Sequence, residues 1–207
     1  MTFTVLARDP QSERIGAATA SRSLAVGAAV IAVEPGVGVA ASQAWTNRAL
    51  RPRLLAALSD GESPAVAVSR VPEWDAGSEL RQVAALGWAG PGAVRSGGGI
   101  TAWAGELAAA DAVFAGNLLT GPEVLEAMAA AWASTTGDLA DRLLAVLSAG
   151  ERAGGDARGR QSAALLVASR TETLLDLRVD DHGDPVSELA RLRQLAALPA
   201  DSTAPAR

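Results

Sequence analysis

The sequence predicts an α+β fold in which two mainly antiparallel sheets lie face to face with helices outside them. Three observations carry this. Four strand-like segments joined by short turns fill the first 42 residues. The remaining strand and helix signals come in blocks of like elements, not in the strict β-α alternation of a doubly wound parallel sheet. A chain of 207 residues with 49% hydrophobic and 20% charged residues also has enough apolar material for one substantial core.

The elements follow in order. Residues 3–8, Phe-Thr-Val-Leu-Ala-Arg, are rich in β-formers and are broken by Asp9-Pro10. Residues 14–21 form a second apolar stretch, so the two read as a hairpin with its loop at 10–13. Residues 26–33, the turn Glu34-Pro35-Gly36 and residues 37–42 repeat the pattern of strand, turn, strand. Leu50, Leu54, Leu55 and Leu58 then recur at helical spacing, and Asp60-Gly61 ends that run. Ser63-Pro64 reads as an N-cap with a first-turn proline, opening a short helix to about Val71. Residues 81–88 and 93–96 flank Gly90-Pro91-Gly92 as another hairpin, and residues 103–119 hold further extended segments. The spacing of Thr120 and Glu123 is that of a capping box. Val124, Leu125, Met128 and Trp132 follow on one face, and Leu139, Leu143, Leu144 and Leu147 mark a second amphipathic helix. A Gly-rich charged loop is expected at 149–159, strands at 162–168 and 174–179, and a last helix after Asp184-Pro185 that carries Leu189 and Leu192. A single domain over 1–198 is expected, with 199–207 as a disordered tail.

Composition excludes several functions. The net charge of −5 argues against a nucleic-acid or anionic-membrane surface, since those partners need a basic patch. All 18 basic residues are Arg. There is no Cys and His182 is the one His, so neither a thiol nucleophile nor a zinc site is expected. Asp180-Asp181-His182 reads as a surface ion pair. Ser96-Gly97-Gly98-Gly99 lacks the Lys of a phosphate loop. No cofactor or metal is expected. Arg8 and Asp9 interrupt any signal-peptide core, and no apolar run reaches membrane-helix length. A cytoplasmic protein is expected. Five Trp (45, 74, 88, 103 and 132) without any Tyr favour a homodimer, since aromatic residues are enriched at interfaces, with Trp132 reserved for the core.

Several blocks in order carry a resemblance. They are Thr2-Phe-Thr-Val-Leu-Ala-Arg-Asp; Ala20-Ser-Arg22 with Leu24-Ala-Val-Gly27; Ser42-Gln-Ala44; Trp103-Ala-Gly105; Gly116-Asn-Leu-Leu-Thr-Gly-Pro122; Gly155-Asp156 with Arg158-Gly-Arg-Gln-Ser-Ala-Ala-Leu-Leu-Val167; and Leu177-Arg-Val-Asp-Asp-His182. Together they resemble the domain-of-unknown-function family 1028, from residue 2 to about residue 193. The resemblance implies an N-terminal-nucleophile hydrolase-like chain and a four-layer αββα sandwich. One departure is Glu106, where the family pattern leads one to expect His.

That resemblance points to Thr2 as the nucleophile. Such a residue supplies both an attacking hydroxyl and, through its own α-amine, the base; an α-amine titrates near 7.7–8.0. Removal of Met1 would expose it. Two departures count against catalysis: Ala20 stands where proteasome-like relatives have Asp, and the chain has no Lys. Ser21, Gln43 and Ser162 are candidate donors to an oxyanion at strand ends, or ordinary hydrogen-bonding residues there. Asn117 is an oxyanion donor or a turn residue. Asp156, Arg158 and Arg160 are candidates for binding a charged group of a small-molecule ligand, or members of a solvated loop. In a regular hairpin Thr2 lies beside Ser21, so Thr2, Ser21, Gln43 and Ser162 are expected at one end of the sandwich around a concavity. Two functions fit: hydrolysis of a small amide or peptide-like substrate, and non-catalytic binding of a small molecule on the same fold.

Overall fold

A computed structural model describes residues 2–197; Met1 and the expected tail at 199–207 lie outside the described residues. The strands are β1 (Thr2–Asp9), β2 (Arg14–Ser21), β3 (Ile31–Glu34), β4 (Gly38–Ala44), β5 (Arg81–Gly87), β6 (Ala93–Ser96), β7 (Ala104–Ala109), β8 (Ala112–Asn117), β9 (Ser162–Ala168) and β10 (Thr173–Val179). The helices are α1 (Val26–Val30), α2 (Leu50–Ser59), α3 (Pro64–Ser69), α4 (Val71–Trp74), α5 (Glu123–Ser134), α6 (Leu139–Arg152) and α7 (Pro185–Ala197). Six strands form one sheet in the order β10-β9-β2-β1-β8-β7, and four form the other in the order β3-β4-β5-β6. All pairings are antiparallel.

The period-2 pattern of β1 explains the layering. Phe3, Val5 and Ala7 point away from the second sheet and pack with Leu125, Met128, Leu143 and Leu147 of α5 and α6. Leu6 points the other way and meets Val39, Ala41 and Leu86 between the sheets. Ala40, Val83 and Ala85, on the far side of the four-stranded sheet, pack with Leu50, Leu54 and Val68 of α2 and α3. The result is the four-layer αββα sandwich. Both faces of each central strand are covered, so β1 is buried over all but its last residue.

Local signals placed several boundaries correctly. The Ser63 hydroxyl accepts from the Val66 N–H at 3.4 Å, the cap its sequence position implies. Gly36 and Gly61 take positive φ at the two turns expected for them, and Asp184 accepts from the Ser187 N–H at the start of α7.

Three boundaries differ from the sequence reading. Residues 26–30 are helical, and the third strand begins only at Ile31. The Val-rich segment favours a strand locally, but the Ser162 hydroxyl accepts the Val26 N–H at 3.1 Å and Gly27 packs directly on Ala164, which leaves room for a tight turn and not for a ladder. Thr120 does not cap α5. The helix starts after Pro122 with no side-chain cap, and the Thr120 N–H donates instead to the Gly155 carbonyl at 3.2 Å. Residues 149–152 complete α6, so the Gly-rich loop is shorter than expected. Of the five Trp, Trp132 is buried as expected, with the Arg142 guanidinium 3.6 Å from its ring centroid, and Trp45 is the exposed one.

Among the described residues, no helix is long and apolar enough to cross a membrane.

Candidate functional site

Strand register assembles the site. Phe3 pairs with Ala20, which sets Thr2 beside Ser21; Thr2 pairs with Asn117 on its other side, and Ser21 pairs with Ser162. Ser162, Ser21, Thr2 and Asn117 therefore form a row across four strands at one end of the sheet. Directly opposite residues share a face, and for this row it is the face turned toward the second sheet, because Leu6 lies two pleats along from Thr2. The Thr2 hydroxyl donates to the Ser21 hydroxyl at 3.3 Å.

A second polar layer lies one pleat deeper. The Thr4 hydroxyl is 2.7 Å from that of Thr19 and donates to Gln43 Oε1 at 2.6 Å. Gln43 Nε2 donates to Gln82 Oε1 at 2.7 Å, and Asn117 Nδ2 donates to the same oxygen at 3.1 Å. Gln82 Nε2 in turn donates to the Ser96 hydroxyl at 3.0 Å and to the Gly105 carbonyl at 3.1 Å. These side chains join the two sheets through a buried, neutral network. Such a network is stable only when its members are satisfied. Glu106, at the departure from the family pattern, accepts from the Ser96 hydroxyl at 2.7 Å and so anchors the outer end of this chain.

A cleft of about 200 Å³ opens at this end, lined by Ser23, Ala44, Trp45, Asn117, Leu118 and Arg158. Ala44 and Leu118 have φ of 68° and 52°. Non-glycine residues in this left-handed region store strain of order 1–3 kcal/mol, a feature that concentrates at functional sites. A smaller cavity of about 50 Å³ lies on the other side of β2's end, between Ser21, Glu151, Asp156 and Arg160. Burial pushes the Glu151 carboxyl above its ordinary range; Arg160 opposes this and Asp184 adds to it.

The structure brings most of the sequence-predicted residues together, in different roles. Thr2, Ser21 and Asn117 form the row beside the cleft. Ser162 belongs to the row by register, but its hydroxyl is spent on α1: it accepts from Val26 and donates to the Ser23 carbonyl. Gln43 is 1% exposed and lies in the deeper layer. Asp156 is buried and builds the loop, accepting from the Arg22 N–H at 2.7 Å and the Arg158 N–H at 2.9 Å. Arg160 is half exposed and stands 3.5 Å from Glu151. Nothing in the sequence analysis marked Gln82, Thr4 or Thr19 for the site, and Trp45 stood there only as an interface residue. Gln82 was signalled by one long polar residue inside the apolar strand Arg81–Gly87, since a buried amide demands partners.

The rim that carries Trp45 is clamped from behind. Arg81 Nη1 donates to the Trp45 carbonyl, and Arg81 Nε donates to Asp75 at 2.8 Å. Asp75 also accepts from Asn47 at 2.8 Å and from the Gly77 N–H at 2.8 Å. The Arg81 and Asn47 hydrogen bonds lower the Asp75 pKa from 3.8 to about 2. A depressed folded-state pKa stabilises the fold above the unfolded value, and that contribution is lost as pH falls from about 4 toward 2. Asp75→Asn is therefore expected to cost on the order of 1–2 kcal/mol at pH 7 and almost nothing near pH 2. Urea denaturation of both proteins across that pH range checks this; a pH-independent difference would contradict it.

One solved structure shares this architecture, and a family model covers most of the chain. The model of a family of unknown function, DUF1028, matches residues 2–189. A crystal structure of a DUF1028 protein from Silicibacter pomeroyi is 35% identical, with a TM-score of 0.89 over 96% of this chain and 90% of that one. Anbu, the ancestral beta-subunit from Yersinia bercovieri, is matched at 10% identity with a TM-score of 0.44, over 96% of this chain and 98% of that one. No curated protein sequence matches the chain.

Proposed function

The chain belongs to the DUF1028 family, and from that premise we propose that it hydrolyses a small amide or peptide-like substrate with Thr2 as an N-terminal nucleophile. The observation that carries this reading is the position of Thr2. It heads the central strand at the open end of the sandwich, its hydroxyl bonded to Ser21, and opposite it stands Asn117, a wall of the cleft. With Met1 removed, hydroxyl and α-amine sit on one residue.

The chemistry then balances within that residue. Thr2 Oγ1 attacks the amide carbon while its proton passes to the α-amine. The C–N bond breaks, the leaving amine takes that proton, and the acyl group stays as an ester on Thr2. Water attacks the ester, gives a proton to the α-amine, and the acid leaves as the hydroxyl is restored. Ser21 orients the hydroxyl, Asp156 holds the loop that brings Arg158 to the cleft, and Arg160 serves the adjoining cavity.

Two measurements test this. The intact mass of the protein from its own host is expected to lack Met1; full retention excludes the mechanism. Thr2→Ala is expected to lower turnover of a responsive amide by at least about 10³-fold while leaving the circular dichroism unchanged. A second reading, non-catalytic binding, is favoured by one observation: Ala20 stands where an acid is expected, and the chain has no Lys to act on the amine. A ligand held equally by wild type and Thr2→Ala, with no turnover, would select that reading. Either way the protein is proposed to be a cytoplasmic homodimer, with Trp45 and Leu24, each about two-thirds exposed, as apolar side chains a second copy would cover. A concentration-independent monomer mass by light scattering would end the dimer proposal.

A further inference from the structure

The polarity of the buried amide network is set by one group that has no choice. The Gly105 carbonyl can only accept, and it stands 3.1 Å from one end of the Gln82 amide. That end is therefore the NH2, and the other is the oxygen. The Gln82 oxygen must then meet donors, so Gln43 and Asn117 both turn their NH2 groups toward it. For Gln43 this leaves the oxygen to the Thr4 hydroxyl, and the account closes.

For Asn117 it does not close. Its Oδ1 accepts from no group among the described residues, in a side chain 1% exposed on the wall of the cleft. Flipping the amide would bring two oxygens face to face at Gln82, which the network forbids. The oxygen is reached by water from the cleft, and a ligand that displaces that water without offering a donor leaves the acceptor unpaired at a cost of about 1–3 kcal/mol.

We infer that the cleft selects a ligand presenting an N–H to Asn117 Oδ1, and that Gln82 is the positioning residue that imposes this polarity. The inference rests on the amide-hydrolase reading for the identity of the substrate bond and narrows it: the substrate is a primary or secondary amide, not an ester or a tertiary amide. Asn117 is thereby an acceptor from the substrate nitrogen and not the oxyanion donor that its residue type first suggested. The exposed Trp45 ring and Leu118 supply an apolar wall beside it.

N-methylbenzamide and methyl benzoate are suitable probes, since they differ by one N–H replaced with oxygen. Each is titrated into the isotope-labelled full chain, following the backbone amides of Ser23, Ala44 and Leu118 and the Trp45 indole. The amide is expected to bind at least about tenfold more tightly than the ester, which would set a lone pair against Asn117 Oδ1. In Gln82→Met, which keeps the volume and frees Asn117, the two are expected to bind within about twofold of each other. Equal binding in wild type, no response to the amide, or a preference that survives in Gln82→Met would overturn the inference. If Gln82→Met does not fold, the wild-type pair decides alone. Binding needs no turnover, and the preference is expected to persist in Thr2→Ala, so failure of the hydrolytic reading and failure of this one are read separately.

Discussion

Replacing Phe3 with Ala is expected to destabilise the protein by about 3–5 kcal/mol, the range for a fully buried phenylalanine. Phe3 is 2% exposed and is among the largest buried side chains of β1. Its ring lies against α6 at a point where the helix has glycine: a Cβ on Gly150 would stand 3.3 Å from the ring, and one on Gly155 equally close. The gap left by Ala cannot be filled from the helix, because Gly150 has no side chain to swing in and the backbone is held by α6's own ladder. The new void would also join the small cavity that Phe3 already borders with Ser21 and Glu151. For a chain of this length the loss corresponds to a melting temperature lower by about 10 °C. Phe3→Leu should cost clearly less. A thermal shift for Phe3→Ala of only a degree or two would mean that the sheet and α6 close over the gap.

Asp156→Ala has the second-largest expected effect, for a polar reason. Its carboxylate collects the Arg22 N–H at 2.7 Å, the Arg158 N–H at 2.9 Å and the Arg158 guanidinium at 3.2 Å. The guanidinium is partly exposed and contributes little. The two backbone donors are another matter: they lie at the end of β2 and in the loop beside it, and charge-assisted bonds to backbone are the stronger kind. Deleting the acceptor orphans both, at an expected cost of about 2–4 kcal/mol. Asp156→Asn, which keeps one acceptor oxygen, should lose less. Hydrogen exchange gives the specific readout: the Arg22 amide should exchange at least about tenfold faster in Asp156→Ala. Unchanged protection of Arg22, with a stability loss below about 0.5 kcal/mol, would show that the loop is held by other contacts. Because this loop brings Arg158 to the cleft, the substitution should also alter cleft shape, whereas Phe3→Ala acts mainly behind the row.

Much of the fold was legible because its signals are local. Alternation of Phe3, Val5 and Ala7 with Thr2, Thr4 and Leu6, ended by Asp9-Pro10, specifies a strand and its turn within ten residues. The leucines of α2 and α6 announce their buried faces at helical spacing, and Ser63-Pro64 states where a helix begins. The pairing of Thr2 with Ser21 also followed from the sequence, because a hairpin with a short loop leaves little freedom of register.

What lay beyond local reach depended on partners far away in the chain. Residues 26–30 became a helical turn because Ser162, more than 130 residues later, takes the Val26 N–H. Asn117 and Ser162 reach the row only because β8 and β9 dock on opposite sides of the first hairpin, an order that no periodicity records. Gln82 was visible as an oddity in an apolar strand, but its role waited on the Gly105 carbonyl, which a strand of the other sheet brings within 3.1 Å. The sequence by itself determined most of the strands and helices, residues 26–30 apart, and which residue heads the first strand, since those follow from periodicity, turn chemistry and propensity. Tertiary structure alone decided which polar groups meet and which way each amide faces, because a buried donor or acceptor is oriented by the nearest group that cannot turn.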